Sequence, residues 1–217
     1  MIEALRVWWR ALRHVMVRGY IYVWANLCWA GLSLPIITAP AAWAGLVRMS
    51  HLAHTSRSAD LTDFWQGFRD NLRPTLLLGL VNAAIIVVNL VNLWNYRFDS
   101  SLTVSLMRLV WLSVLVVWFS VQLYLWPIYY EMEKPTLTGA LRNAALMVLL
   151  NPLFTLALWP GILILGAIST FLGAPWLLLT GGIFASLAVA AVLNRLKAAG
   201  FNNPEHYTPL DAGGSEI

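Results

Sequence analysis

Charge is what this sequence has least of. Asp, Glu, Lys and Arg make up 11% of it, against about 25% in a soluble globular domain, so half of an ordinary solvated surface is missing. Cysteine is almost absent as well. The single Cys28 lies inside an apolar run, which leaves neither a disulfide framework nor a cysteine zinc set. No Gly-rich phosphate loop occurs, so the chain is not itself an ATPase. None of the ten carboxylates falls inside a long apolar run. That argues against a proton- or sodium-driven carrier built on a buried Asp or Glu, because intramembrane ionisable groups are the usual markers of ion coupling.

What is present is apolar and aromatic. Hydrophobic residues account for 59% of the 217 positions, with 12 Trp and 7 Tyr, and the mean hydropathy is +0.69. Amphipathic aromatics in such numbers belong where protein meets lipid headgroups. The net charge of +4 comes from short Arg patches beside apolar runs. A nucleic-acid binder needs instead a basic face on a soluble fold. The partner implied is a lipid bilayer, and no nucleic acid.

Four stretches contain no Asp, Glu, Lys or Arg: 19–47, 74–96, 109–130 and 143–194. About 20 helical residues cross the roughly 30 Å hydrocarbon core, so the second and third stretches are each one crossing long. The fourth has 52 residues, enough for two crossings and a turn. With the turn near Gly173, spanning helices are expected over 74–95, 104–130, 141–171 and 175–195. The first stretch is too long for one crossing and short for two, and it carries Pro35 and Pro40, which disfavour helix in the residues before them. Charge parity decides its form. If it crosses once, the 14 Lys and Arg fall as 6 and 8 on the two sides; if it enters and returns, they fall as 12 and 2. The positive-inside rule selects the second, making 19–49 a hairpin bent at Pro35–Pro40 with both chain ends cytoplasmic.

Two further segments are amphipathic with helical period. Over 2–17, Leu5, Trp8, Trp9, Leu12 and Val15 share a face opposite Arg6, Arg10 and Arg13. Over 61–72, Leu61, Phe64, Trp65, Phe68 and Leu72 form the apolar stripe, with Asp60 as N-cap. Both read as interfacial helices. The fold expected is an all-α, polytopic transmembrane helical bundle. It has about six membrane-inserted segments, the first pair a Pro-broken hairpin, and two interfacial helices in a single membrane domain over 1–199. A polar, disordered tail is expected over 200–217.

Chemistry is sparse. Asn82 and Asn89 lie seven apart on one helix face, and Asn26, Gln122, Asn143 and Asn151 lie in or near apolar runs. Such amides serve as hydrogen-bonding glue between helices, or line a polar path. His51 and His54 stand at i, i+3 with no obvious third ligand and read as interfacial. No metal, no cofactor and no catalytic residue is expected. The amphipathic helix with Phe64, Trp65, Phe68, Arg69 and Asn71 is a candidate docking surface.

One pattern points to a family. Asn26, Trp29, Ser33-Leu34-Pro35 and Thr38-Ala39-Pro40-Ala41-Ala42 are followed by Asp63-Phe64-Trp65-Gln66-Gly67-Phe68-Arg69 and Asn71, then by Asn143 and Asn151-Pro152. In this the chain resembles the YesL-like bacterial membrane proteins, a family of unknown function, over roughly residues 1–197. The resemblance implies a bacterial cytoplasmic-membrane protein. It also implies a link to carbohydrate uptake or utilisation, since such proteins are often encoded near sugar permeases. It supplies no catalytic residues. A non-catalytic accessory component, in contact with a sugar-permease subunit or with itself, is the function expected on this basis; a small stand-alone transporter or channel for a polar solute is the alternative.

Overall fold

The computed structural model describes residues 2–56 and 58–201, and among these it is all-helical. The tail expected over 200–217 lies outside the described residues from 202 onward. In chain order the helices are α1 (Ile2–Val17), α2 (Gly19–Ser33), α3 (Ala39–Thr55), α4 (Leu61–Asn95), α5 (Leu102–Glu131), α6 (Leu137–Leu150), α7 (Pro152–Leu172) and α8 (Gly181–Ala198); a π-helical turn, Trp176–Thr180, leads into α8. Four segments are long and apolar enough to cross a membrane: Leu61–Asn95, Leu102–Glu131, Pro152–Leu172 and Trp176–Ala198.

Residues 61–72 and 74–95, expected as an interfacial helix and a separate span, are instead one 35-residue helix. It starts where expected. The Asp60 carboxylate accepts from the Thr62 and Asp63 backbone amides while Asp63 returns the bond to the Asp60 N–H, a reciprocal cap. The hydrogen bonds from Thr62 hold the Asp60 carboxyl below the usual carboxylate range. Pro74 then sits within the helix without ending it. Its missing N–H orphans only the carbonyl of exposed Asp70, and the Thr75 hydroxyl folds back onto Asn71 O at 2.5 Å.

A second correction concerns 141–171. Asn151 takes φ −130 and ψ 51, and Pro152 opens a new helix, so only 152–172 is long enough to cross. α6 has 14 residues, about 21 Å of helix. Pro127 and Pro160, like Pro74, are carried inside helices.

The hairpin expected over 19–49 is present as α2 and α3, with the turn at 34–38 and α3 running on to Thr55. Its two ends come together, since Arg18 Nη2 donates to Ser56 O at 3.4 Å and His14 reaches Ala53 O at 3.0 Å. α3 is the most enclosed helix with α8: Ala41, Ala42, Ala44, Leu46, Val47 and Met49 are fully buried, as are Ala185 and Leu187–Val189. Small residues let it approach α4 closely. The Cβ of an alanine at Gly45 would lie 2.5 Å from Phe64 O, and one at Gly67 would lie 2.9 Å from Gly45 Cα, which is backbone-to-backbone contact of the small-residue kind.

α1 packs on α8, but not through its bulkiest face. Ala4, Val7, Ala11, His14 and Val15 are buried, whereas Leu5 and Trp9 are each 68% exposed. Arg6, Arg10 and Arg13 are exposed too, so the helix keeps its amphipathic outer surface while a small-residue stripe faces the bundle. At the other extreme, the second half of α4 and the first half of α5 form an antiparallel pair whose apolar side chains point outward on most sides, Leu77, Val87, Val88, Leu106, Leu109 and Val110 among them. Arg108 closes the tip onto Tyr96 O and Asp99 O.

Candidate functional site

The Pro35–Pro40 turn is built from apolar residues that find no interior. Leu34, Ile36 and Ile37 are exposed, and Ile36 has φ 62, a left-handed conformation that β-branched residues seldom adopt. The Thr38 hydroxyl bonds Leu32 O across the turn, while Ser33 Oγ is buried with no partner among the described residues. Pro40 starts α3 and packs toward Gly79.

Asn26 is the organising polar group of α2. Its Nδ2 donates to Trp176 O at 2.8 Å and to Leu177 O at 2.7 Å, and its Oδ1 accepts from Gly182 N at 2.8 Å. The amide therefore bridges both sides of the junction between the π-helical turn and α8, where the wider coil turns backbone groups sideways. Trp29, one turn on, stacks on Trp176 at 6.4 Å and fills the space above Gly181. Asn26 and Trp29 hold the π-helical turn and the start of α8 to the hairpin.

Of the docking-helix candidates, Phe64 and Asn71 are buried, Trp65 and Phe68 are partly buried, and only Arg69 is on the surface. Phe68 lies against Gly45. Asn71 Nδ2 donates to its own helix at Gly67 O and to Tyr130 Oη, which in turn donates to Ala44 O. The buried part of the aromatic stripe, Phe64 above all, thus faces α3, while Trp65 and Phe68 keep part of their surface open. Arg48 crosses beside it, 3.0 Å from both Asp70 and Gln66.

The amides 82 and 89 do not converge. Asn82 Oδ1 accepts from Trp118 Nε1 at 2.9 Å and from Gln122 Nε2 at 3.0 Å, joining α4 to α5. Asn89 bonds its own Ile85 carbonyl. Asn151 likewise bonds Met147 O, next to the Pro152 break. Near Gln122 a cleft of about 400 Å³ opens between α3, α5, α7 and α8, lined by Trp43, Phe119, Gln122, Leu123, Trp159, Ile162 and Phe184. A second groove of about 460 Å³ lies between the outer halves of α4 and α5, lined almost wholly by apolar side chains.

The largest polar assembly was not expected from the sequence. His14 and His54 stack at 3.8 Å between ring centroids with 17° between planes. Their partners assign the tautomers. A carbonyl only accepts, so His14 Nε2–H donates to Ala53 O at 3.0 Å, leaving Nδ1 to accept from Tyr22 Oη at 3.1 Å; Tyr22 in turn accepts from Ser50 Oγ at 3.0 Å. Ser186 Oγ donates to Ala11 O, and so accepts from His54 Nε2–H at 2.9 Å. Two sets of bonds between neutral groups, joined by the His14–His54 stack, tie together residues of α1, α2, α3 and α8. His51 points elsewhere and pairs with Glu131 of α5 at 2.6 Å. A usable signal was the Ala4-Val7-Ala11 stripe, which runs into His14 on the same face. Among the described residues no group of three or more His, Cys, Asp or Glu is placed to hold a metal ion.

No family model, no curated protein and no solved structure matches this chain.

Proposed function

We propose that this chain is a non-catalytic accessory component of the bacterial cytoplasmic membrane, serving carbohydrate uptake or utilisation through helix contacts with a permease subunit. The link to carbohydrate rests on the YesL-like resemblance of the Asn26–Ala42 and Asp63–Asn71 segments. The observation that supports working by contact is the outer α4–α5 pair, apolar on most sides and held to the body at few places, with a groove between its helices. Apolar side chains from a transmembrane helix of the permease would seat in that groove. Purification of the tagged chain from its host in mild detergent is expected to recover a permease subunit in stoichiometric amount. Val110→Phe with Val117→Phe, on exposed groove positions, is expected to abolish that recovery without lowering the yield of the chain. Undiminished recovery would refute the groove as the contact.

The membrane topology proposed has six inserted segments, α2, α3, α4, α5, α7 and α8, with both ends cytoplasmic. The adjacency of Arg18 to Ser56 supports an entering and returning first pair. Reporter tags at either terminus and near Ser58 should read cytoplasmic, and one near Asp99 should read external; a cytoplasmic signal at Asp99 would sink the scheme.

A second reading, a stand-alone transporter or channel for a polar solute, is favoured by the cleft beside Gln122, where four helices converge on two Trp and two Phe rings. Recovery of the chain alone as one defined species, together with solute flux in liposomes, would select it.

A further inference from the structure

Two imidazoles stacked face to face in a protein interior tolerate each other only while neutral, and here every surrounding charge opposes a proton. His14 is 2% exposed. Burial, together with Arg18, pulls its imidazole down from 6.5 to about 4, although the bond to Ala53 works the other way. The charged and titratable groups bearing on the pair are Arg10 and Arg18 at the α1 side, Tyr22 from α2 and His51 from α3; α8 contributes the uncharged Ser186. The carboxylate of Glu131 is turned to His51. We propose that the stacked His14–His54 pair is a proton-operated latch, closed while both rings are neutral, that fastens α1 to α3 and α8.

The fastening is specific to α1. His14 is the point where α1 reaches α2 and α3, and Ala11 O is where Ser186 of α8 reaches α1. The other ties of α1 are the apolar stripe, Trp8 against Gly161 and Leu158, and the Glu3–Arg195 pair. A proton on either ring places a cation against its neighbour's π face inside a cationic surround. A proton on His14 also puts an N–H at Nδ1, where Tyr22 now donates, so Tyr22 has to turn its proton to Ser50. Once α1 lifts away the His14 imidazole is hydrated and regains an ordinary affinity. The closed state is therefore complete above pH 6.5 and weakens as pH falls toward 4. At pH 5.5 the closed-to-open ratio is about tenfold lower through His14 alone.

The test is hydrogen exchange of the full chain in lipid nanodiscs, from pH 7.5 to 5, with each rate referenced to the unstructured rate at the same pH. The peptide covering α1 is expected to lose protection by tenfold or more while the peptide covering α5 stays constant. His14→Gln with His54→Gln is expected to make α1 protection independent of pH. Should the double variant not fold, His54→Gln alone keeps a donor for Ser186, removes the stacked partner ring, and is expected to reduce the pH response of α1. Three results would each overturn the latch: flat α1 protection in the unaltered chain, loss of α5 protection in step with α1, or a pH response that persists in the His variants and disappears in His51→Gln.

Discussion

Gly45→Ala is expected to unseat α3 from α4 and to destabilise the bundle by about 3 kcal/mol or more, the range reached when extra volume is forced into a closed interior. The added methyl would stand 2.5 Å from Phe64 O and 3.0 Å from Phe68 N. Both are backbone atoms of α4, so no side-chain rotation relieves the contact. Moving α4 outward would pull Asp70 and Gln66 from Arg48 and break the Asn71–Tyr130–Ala44 relay. Gly67→Ala meets Gly45 Cα and Arg48 Cβ at 2.9 Å and should fail in the same way. The comparison that isolates the contact is Gly31→Ala or Gly166→Ala. Both glycines are in helices, and a Cβ there finds nothing within 4 Å, so these changes should be neutral or stabilising by about 0.5–1 kcal/mol. Thermal unfolding in detergent, followed by size-exclusion profile, measures all four. Equal melting of Gly45→Ala and Gly31→Ala would refute the close crossing.

That crossing shows where sequence reasoning reaches and where it stops. The charge-free runs 74–96 and 109–130 correspond to helices long and apolar enough to cross a membrane, because a charge is costly anywhere along such a segment. The ends of α5 at Leu102 and Glu131 fall within two residues of expectation. Prolines are less legible. Pro35 lies in a turn, Pro152 opens a helix, and Pro74, Pro127 and Pro160 are carried inside. The local rule, a lost N–H and a clash, is identical in all five. What differs is whether the orphaned carbonyl has another partner or is exposed, and that depends on the tertiary surroundings.

The same limit governs the candidate residues. Phe64, Trp65 and Phe68 were legible as one face of a helix, but periodicity cannot say whether that face meets lipid, a partner or α3. In α1 the Leu5/Trp8/Trp9 face was legible as the apolar side of an interfacial helix, whereas the Ala4/Val7/Ala11 stripe that faces the bundle was not. Close helix packing favours small residues, which is why the stripe won and why His14 came inside with it. Tyr22, Ser50, His54 and Ser186 are spread over 165 positions of sequence, and nothing in their spacing announces that they share one network.

Asn26→Asp is expected to be the most damaging isosteric change in the chain. The asparagine amide makes two donations and one acceptance at 2.7–2.8 Å. A carboxylate can keep only the acceptance from Gly182, and it would set an anionic oxygen against the Trp176 and Leu177 carbonyls. Each buried group left unpaired costs about 1–3 kcal/mol, so a loss of about 3–6 kcal/mol is expected. Asn26→Ala should be milder: it orphans the Gly182 N–H as well as the two carbonyls, but it sets no charge against them. The aspartate also carries a pH signature. It is tolerated best when protonated, so its folded-state affinity for a proton lies above the ordinary carboxylate value of about 3.9. The native state then holds more protons than the unfolded one, and stability falls as pH rises above that value. His14 has the opposite sign, with stability lost as pH falls below 6.5. Melting of Asn26→Asp relative to Asn26→Ala between pH 4.5 and 8 separates the two effects, because both variants contain His14 and only one contains the carboxyl. A difference between the two variants that does not grow toward alkaline pH would mean that residue 26 is hydrated, and that the π-helical turn is not held by its amide.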